Sequence, residues 1–134
     1  MQKKAKILIV DDDPDIVTAI GAVLKARGYE VATARDGEEG LAKLKDEKPD
    51  LMILDLLMPK MDGFAVCRQL KDPRWTRYGN MPILILSSVR EEASRRRYEL
   101  ETGLALDVDD YVEKPIDPSV LLERMEKLLQ KRRP

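Results

Sequence analysis

Lys6-Ile7-Leu8-Ile9-Val10-Asp11-Asp12-Asp13-Pro14 carries an apolar run into three acids and a proline. Apolar residues at nearly every position describe a strand covered on both faces, which is the habit of a central strand in a parallel sheet. Asp13 suits a helix N-cap and Pro14 the first helical position. Ile16, Ile20, Val23, Leu24 and Arg27 follow at helical spacing, and Gly28 can end the helix. A strand therefore runs into acids and then into a helix.

That unit recurs along the chain. Tyr29 to Ala34 reads as a short strand, and Asp36-Gly37-Glu38-Glu39 as a capping box opening a helix with Leu41 and Leu44 inward. Lys48-Pro49 breaks it, and Leu51-Met52-Ile53-Leu54 runs into Asp55. After the loop Met58-Pro59-Lys60-Met61-Asp62-Gly63, Asp62 caps a helix carrying Val66, Cys67 and Leu70. A connector from Asp72-Pro73 to Asn80 is pinned by Trp75 and Tyr78. Ile83-Leu84-Ile85-Leu86 then runs into Ser87-Ser88. Glu91 to Thr102 reads as a helix with a sparse apolar stripe at Ala93, Leu100 and Leu104, and Arg95-Arg96-Arg97 as its solvated face. Asp110-Tyr111-Val112-Glu113 runs into Lys114-Pro115. Asp117 and Pro118 open a last helix that buries Leu121, Leu122, Met125, Leu128 and Leu129. Five such units imply an α/β fold with a five-stranded parallel sheet and right-handed crossovers. The first, third and fourth strands should be central, and the shorter, more polar second and fifth should lie at the edges.

The 134 residues suit one domain over 1–134, with a core from about 6 to 130. The chain ends with its fifth helix, so no output domain is expected on it. No apolar run reaches a membrane span and no signal peptide precedes the first strand, which implies a cytoplasmic protein without a membrane partner. A net charge of −1 gives no basic field, so no nucleic-acid partner is expected. The single cysteine, Cys67, rules out an internal disulfide and reads as a small buried apolar residue. The absence of histidine excludes histidine acid/base catalysis, a Ser-His-Asp triad and a phosphohistidine on this chain.

In an open parallel sheet the ligand site lies at the carboxyl ends of the strands. The residues that end these runs are Asp11, Asp12, Asp55, Ser87 and Lys114. Oxygen ligands of this kind suit a hard divalent cation such as Mg²⁺. Like-charged carboxylates at 4 Å repel by roughly 4 kcal/mol at an effective dielectric near 20, a cost that a cation relieves. Lys114 offers a point charge for a phosphate oxygen, and Ser87 a hydroxyl. Asp55, alone at the end of a central strand, is the candidate nucleophile toward phosphorus, and the paired acids on the next strand are better placed to hold metal.

These residues resemble the receiver domain of two-component response regulators. The resemblance runs from Lys6 to about Leu129. It is carried by Ile9-Val10-Asp11-Asp12-Asp13-Pro14, Leu54-Asp55-Leu56-Leu57-Met58-Pro59-Lys60-Met61-Asp62-Gly63, Pro82-Ile83-Leu84-Ile85-Leu86-Ser87-Ser88 and Asp109-Asp110-Tyr111-Val112-Glu113-Lys114-Pro115. It implies a flavodoxin-like three-layer fold with strand order 2-1-3-4-5 and a cis Lys114-Pro115 bond. It implies Asp55 as phosphoacceptor and Asp11 and Asp12 as the acidic pocket. Mg²⁺ would be bound with Asp55 and the backbone carbonyl of Leu57. Ser87 and Lys114 would bind the phosphoryl oxygens, and Tyr111 would be the switch aromatic. The implied partners are a histidine kinase or phosphotransfer protein and an unidentified output protein. The chain would catalyse only its own phosphorylation and dephosphorylation. Serine stands at 87 where the family more often has threonine. The segment from Ser88 to Asp110 is longer than usual by about a helical turn, around Leu104-Ala105-Leu106-Asp107.

Two other functions compete. An aspartyl-phosphate phosphohydrolase typically carries a second aspartate two residues after the nucleophile, and Leu57 stands there. A flavodoxin-like electron carrier needs a Ser/Thr/Gly-rich phosphate loop after the first strand, where three aspartates would repel the flavin phosphate.

Overall fold

A computed structural model describes residues 4–103 and 108–132, with the backbone alone for Val89, Arg90, Glu91 and Arg132. The extra turn expected around Leu104 to Asp107 lies outside the described residues.

Strands and helices alternate from end to end: β1 (Lys6–Val10), α1 (Pro14–Ala26), β2 (Glu30–Ala34), α2 (Gly37–Glu47), β3 (Leu51–Asp55), α3 (Gly63–Gln69), β4 (Ile83–Ser87), α4 (Val89–Thr102), β5 (Asp110–Glu113) and α5 (Pro118–Arg132). The strands form one sheet in the order β2-β1-β3-β4-β5, every pair parallel. The expected central and edge assignments hold.

Strand periodicity divides the interior into two cores. Ile7, Ile9, Leu51, Ile53, Leu84 and Leu86 face α1 and α5, where Ile20, Leu24, Leu121, Leu122 and Met125 cover them. Leu8, Val10, Met52, Leu54, Ile83 and Ile85 face the other way, under Leu41 and Leu44 of α2 and Phe64, Val66 and Cys67 of α3. Because β1, β3 and β4 need cover on both faces, helices must occupy both, and the fold has three layers.

Aspartates start the helices. Asp13 accepts the Asp15 N–H at 2.9 Å, Asp36 the Glu39 N–H at 2.9 Å, Asp62 the Ala65 N–H at 2.9 Å and Asp117 the Ser119 N–H at 2.9 Å. The connector after α3 winds into a 3₁₀ helix, Pro73–Tyr78, capped by Asp72. Trp75 is buried there, with its ring 5.5 Å from that of Tyr78.

α4 departs from expectation. Ala93 is exposed and Leu100 is 85% exposed, so the apolar stripe does not face the sheet. Glu92, Arg95 and Tyr98 face inward instead. Tyr98 stacks on Phe64 of α3 at 4.9 Å between ring centroids, and Arg95 is not part of a solvated face. A helix so poor in apolar residues docks through aromatic and charged side chains, which spacing alone did not reveal.

Candidate acidic phosphoryl site

The carboxyl ends of β1, β3, β4 and β5 meet at one edge of the sheet. Strand register puts Val10 beside Leu54, Asp55 beside Leu86, and Ser87 beside Glu113. The residues that follow or end these strands therefore converge. Asp11, Asp55 and Ser87 are the buried polar side chains among the described residues. Asp12 turns to solvent.

One carboxylate oxygen from each of Asp11, Asp12 and Asp55 lies within 4.8 Å of the others. The Lys114 ammonium sits 3.3 Å from Asp55 Oδ1 and 3.6 Å from Asp11 Oδ2. Its backbone N–H donates to the Ser87 carbonyl at 2.7 Å, which fixes the lysine to the end of β4. The Lys114-Pro115 bond is cis, as the resemblance implied.

Asp11 Oδ1 accepts the Asp13 N–H at 2.9 Å, whereas buried Oδ2 meets no hydrogen-bond donor. Burial pushes the Asp11 carboxyl above the ordinary carboxylate range. The Asp13 N–H and Lys114 oppose that rise, and neighbouring Asp12 adds to it. A buried oxygen without a donor, among three acids and one lysine, fits a hard cation.

Leu57 follows Asp55 by two residues, half-buried against the core. The loop behind it is held tightly: the Gly63 N–H donates to the Leu56 carbonyl at 2.9 Å. A Cβ on Gly63 would lie 2.5 Å from the Asp55 carbonyl oxygen and 2.8 Å from Leu56 Cα. Asp62-Gly63 is thus more than a turn, since its glycine lets α3 start against the end of β3.

Tyr111 is half-buried on β5, with the Arg95 guanidinium 4.8 Å from its ring centroid. Arg95 Nη2 pairs with Glu92 Oε2 at 2.6 Å, and Ser87 Oγ donates to Glu92 Oε1 at 3.1 Å. The sequence reading did not single out Glu92. Its spacings, five residues beyond Ser87 and three before Arg95, were the available signal.

The match to the response regulator receiver domain model extends over residues 7–126. The chain belongs to the receiver domain family of two-component response regulators. It is 42% identical to the Bacillus subtilis alkaline phosphatase synthesis transcriptional regulatory protein PhoP, over 94% of this chain and 49% of that protein. It is 36% identical to the Streptomyces coelicolor transcriptional regulatory protein AfsQ1, over 93% and 51%. The receiver chain thus spans about half the length of the curated relatives it matches. Among solved structures, a putative response regulator from Chloroflexus aurantiacus J-10-fl superposes with a TM-score of 0.78 at 32% identity, covering 96% of this chain and 99% of that one. The Vibrio cholerae chemotaxis response regulator CheY4 gives 0.76 at 31% identity, covering 92% and 98%. Nothing in these likenesses supports the phosphohydrolase reading. The expectation of no nucleic-acid partner is not borne out: PhoP and AfsQ1 are named as transcriptional regulatory proteins, and a near-zero net charge on a receiver says nothing about an output unit. No described helix is long and apolar enough to cross a membrane.

Proposed function

We propose that Asp55 accepts a phosphoryl group from a phosphohistidine on a separate kinase or phosphotransfer protein. The observation that carries this reading is the Lys114 ammonium 3.3 Å from buried Asp55 and 3.6 Å from buried Asp11, at the carboxyl edge of a receiver sheet. An Asp55 carboxylate oxygen forms the new bond to phosphorus while the bond from phosphorus to the donor imidazole nitrogen breaks. Lys114 neutralises charge on a phosphoryl oxygen, and Ser87 donates its hydroxyl proton to another.

Asp11, Asp12, Asp55 and the Leu57 carbonyl would hold Mg²⁺. Bound there, it would supply charge neutralisation for the acceptor and the incoming phosphoryl group. This chain's share is to keep the acceptor buried, hold the lysine through the Ser87 carbonyl, and orient Asp11 through the Asp13 N–H. Tyr111 then reads the state of Ser87 on the face of α4, β5 and α5. Chemistry beyond the chain's own phosphorylation and dephosphorylation is not part of this reading. The names of the relatives support a transcriptional output, with DNA contacted by an attached or separate unit, in the cytoplasm.

Incubation with acetyl phosphate and Mg²⁺ should add one phosphoryl group by intact mass. The adduct should be absent without metal and in Asp55→Asn. An unchanged adduct in Asp55→Asn would sink the assignment.

A further inference from the structure

α4 is fastened to the sheet by a chain of polar contacts that begins at the phosphoryl site. The Ser87 hydroxyl has one proton, and it goes to Glu92 Oε1 at 3.1 Å. The other Glu92 oxygen binds Arg95 Nη2 at 2.6 Å, and Arg95 Nη1 lies 3.6 Å from Glu99 Oε2. The guanidinium rests on the Tyr111 ring at 4.8 Å. Arg95 Nε is buried without an acceptor, so the group is held by charge and stacking more than by saturated hydrogen bonding. Arg95 also holds the Glu92 carboxyl below its ordinary range, which keeps it ionised and acceptor-only at neutral pH.

We propose that Glu92 is a positioning residue that latches the resting state: it withholds the Ser87 proton from the phosphoryl group and couples its release, through Arg95, to Tyr111. The proposal rests on the reading of Asp55 as acceptor.

One hydroxyl proton cannot serve Glu92 and a phosphoryl oxygen at once, so the two acceptors compete. Phosphorylation of Asp55 replaces one carboxylate charge with a phosphoryl group carrying roughly 1.5–2 negative charges. That adds net negative charge near a Glu92 carboxylate that is already ionised, and repulsion favours its departure. Glu92 cannot move far without breaking or dragging its 2.6 Å contact with Arg95. Arg95 in turn covers Tyr111, so the ring is uncovered or shifted as the latch opens. With Ala93 and Leu100 outward, the Tyr98 stack on Phe64 is the main apolar contact among the described side chains of α4 that such a movement must accommodate.

The test is the affinity for beryllium trifluoride, a tetrahedral stand-in for the phosphoryl group, with Mg²⁺ on the full chain. It compares the parent, Glu92→Gln, Glu92→Ala, Ser87→Ala and Ser87→Ala/Glu92→Ala. Freed of the latch, Glu92→Ala should bind about tenfold more tightly, the low end for one hydrogen bond to a charged group. Glu92→Gln, which keeps an acceptor and suits a helix, should fall between it and the parent. In the Ser87→Ala background the Glu92 change should shift affinity by less than about twofold, because there is no proton left to withhold. The Tyr111 ring resonances of free Glu92→Ala should move toward those of the liganded parent. Unchanged affinity in Glu92→Ala overturns the latch, as does an equal gain without Ser87, which would mean simple loss of negative charge. Stationary Tyr111 resonances overturn the coupling. A parent that takes no beryllium trifluoride, or an Asp55→Asn that takes it equally well, instead defeats the acceptor reading.

Discussion

Asp13 accepts the Asp15 N–H at 2.9 Å, while its neighbour Asp12 lends a carboxylate oxygen to the group with Asp11 and Asp55. Asp13→Ala should therefore cost about 1 kcal/mol of stability through the lost cap. Asp12→Ala should spare the fold and weaken Mg²⁺ binding. Thermal melts and metal titrations of the two variants decide it, and reversed phenotypes would shift the motif by one residue. Asp11 gives a prediction with a definite sign. Its carboxyl is pushed up by burial, so the folded chain holds that proton more tightly than the unfolded chain. The stability linked to it is present below the ordinary value of 3.8 and is lost as pH rises through the folded value. Without metal at neutral pH, Asp11→Asn should melt higher than the parent, since its amide oxygen can still accept the Asp13 N–H. The gap should close on acidification. A parent melting higher at neutral pH without metal would mean that Lys114 outweighs burial.

Among the elements, the start of α3 and the interior of α1 make a matched pair of glycine tests. Gly63→Ala would place a Cβ 2.5 Å from the Asp55 carbonyl oxygen, and only backbone movement at the acceptor can relieve that. A loss of about 1–3 kcal/mol is expected, as for overpacked sites, together with slower phosphorylation by acetyl phosphate. Gly21 lies inside α1, and a Cβ there would meet a single atom within 4 Å, Val31 Cγ1 at 3.9 Å. Gly21→Ala should gain about 0.5–1 kcal/mol, because alanine loses less backbone freedom in a helix. Chemical denaturation of both variants reads the two signs; a destabilised Gly21→Ala would show that α1 packs more tightly against β2 than the distance implies.

For the molecule as a whole, the acidic edge is a strain that a cation should remove. Binding to the folded state alone raises stability with free ligand, by about 2.7 kcal/mol at a hundredfold excess over Kd. The melting temperature should climb steadily with Mg²⁺ in the parent and stay flat in a variant lacking both Asp12 and Asp55 carboxylates. Equal responses would place the cation elsewhere.

The strands, their central or edge places and four of the helix starts are legible in the chain alone, because these depend on local patterning and capping. Val10 and Leu54 are apolar because both faces of their strands are covered, and Asp13, Asp36, Asp62 and Asp117 sit where a cap is needed. Asp11, Asp12, Asp55, Ser87 and Lys114 were legible for a similar reason: each ends a readable strand, and a parallel sheet brings strand ends together. What α4 buries was decided only in three dimensions. Its residues touch β4, α3 and β5, partners outside the helix itself, so no period within the helix could say that Glu92 and Arg95 turn inward or that Arg95 covers Tyr111. The tight seat of Gly63 against Asp55 was likewise invisible, because a missing Cβ leaves its mark only where another backbone comes close.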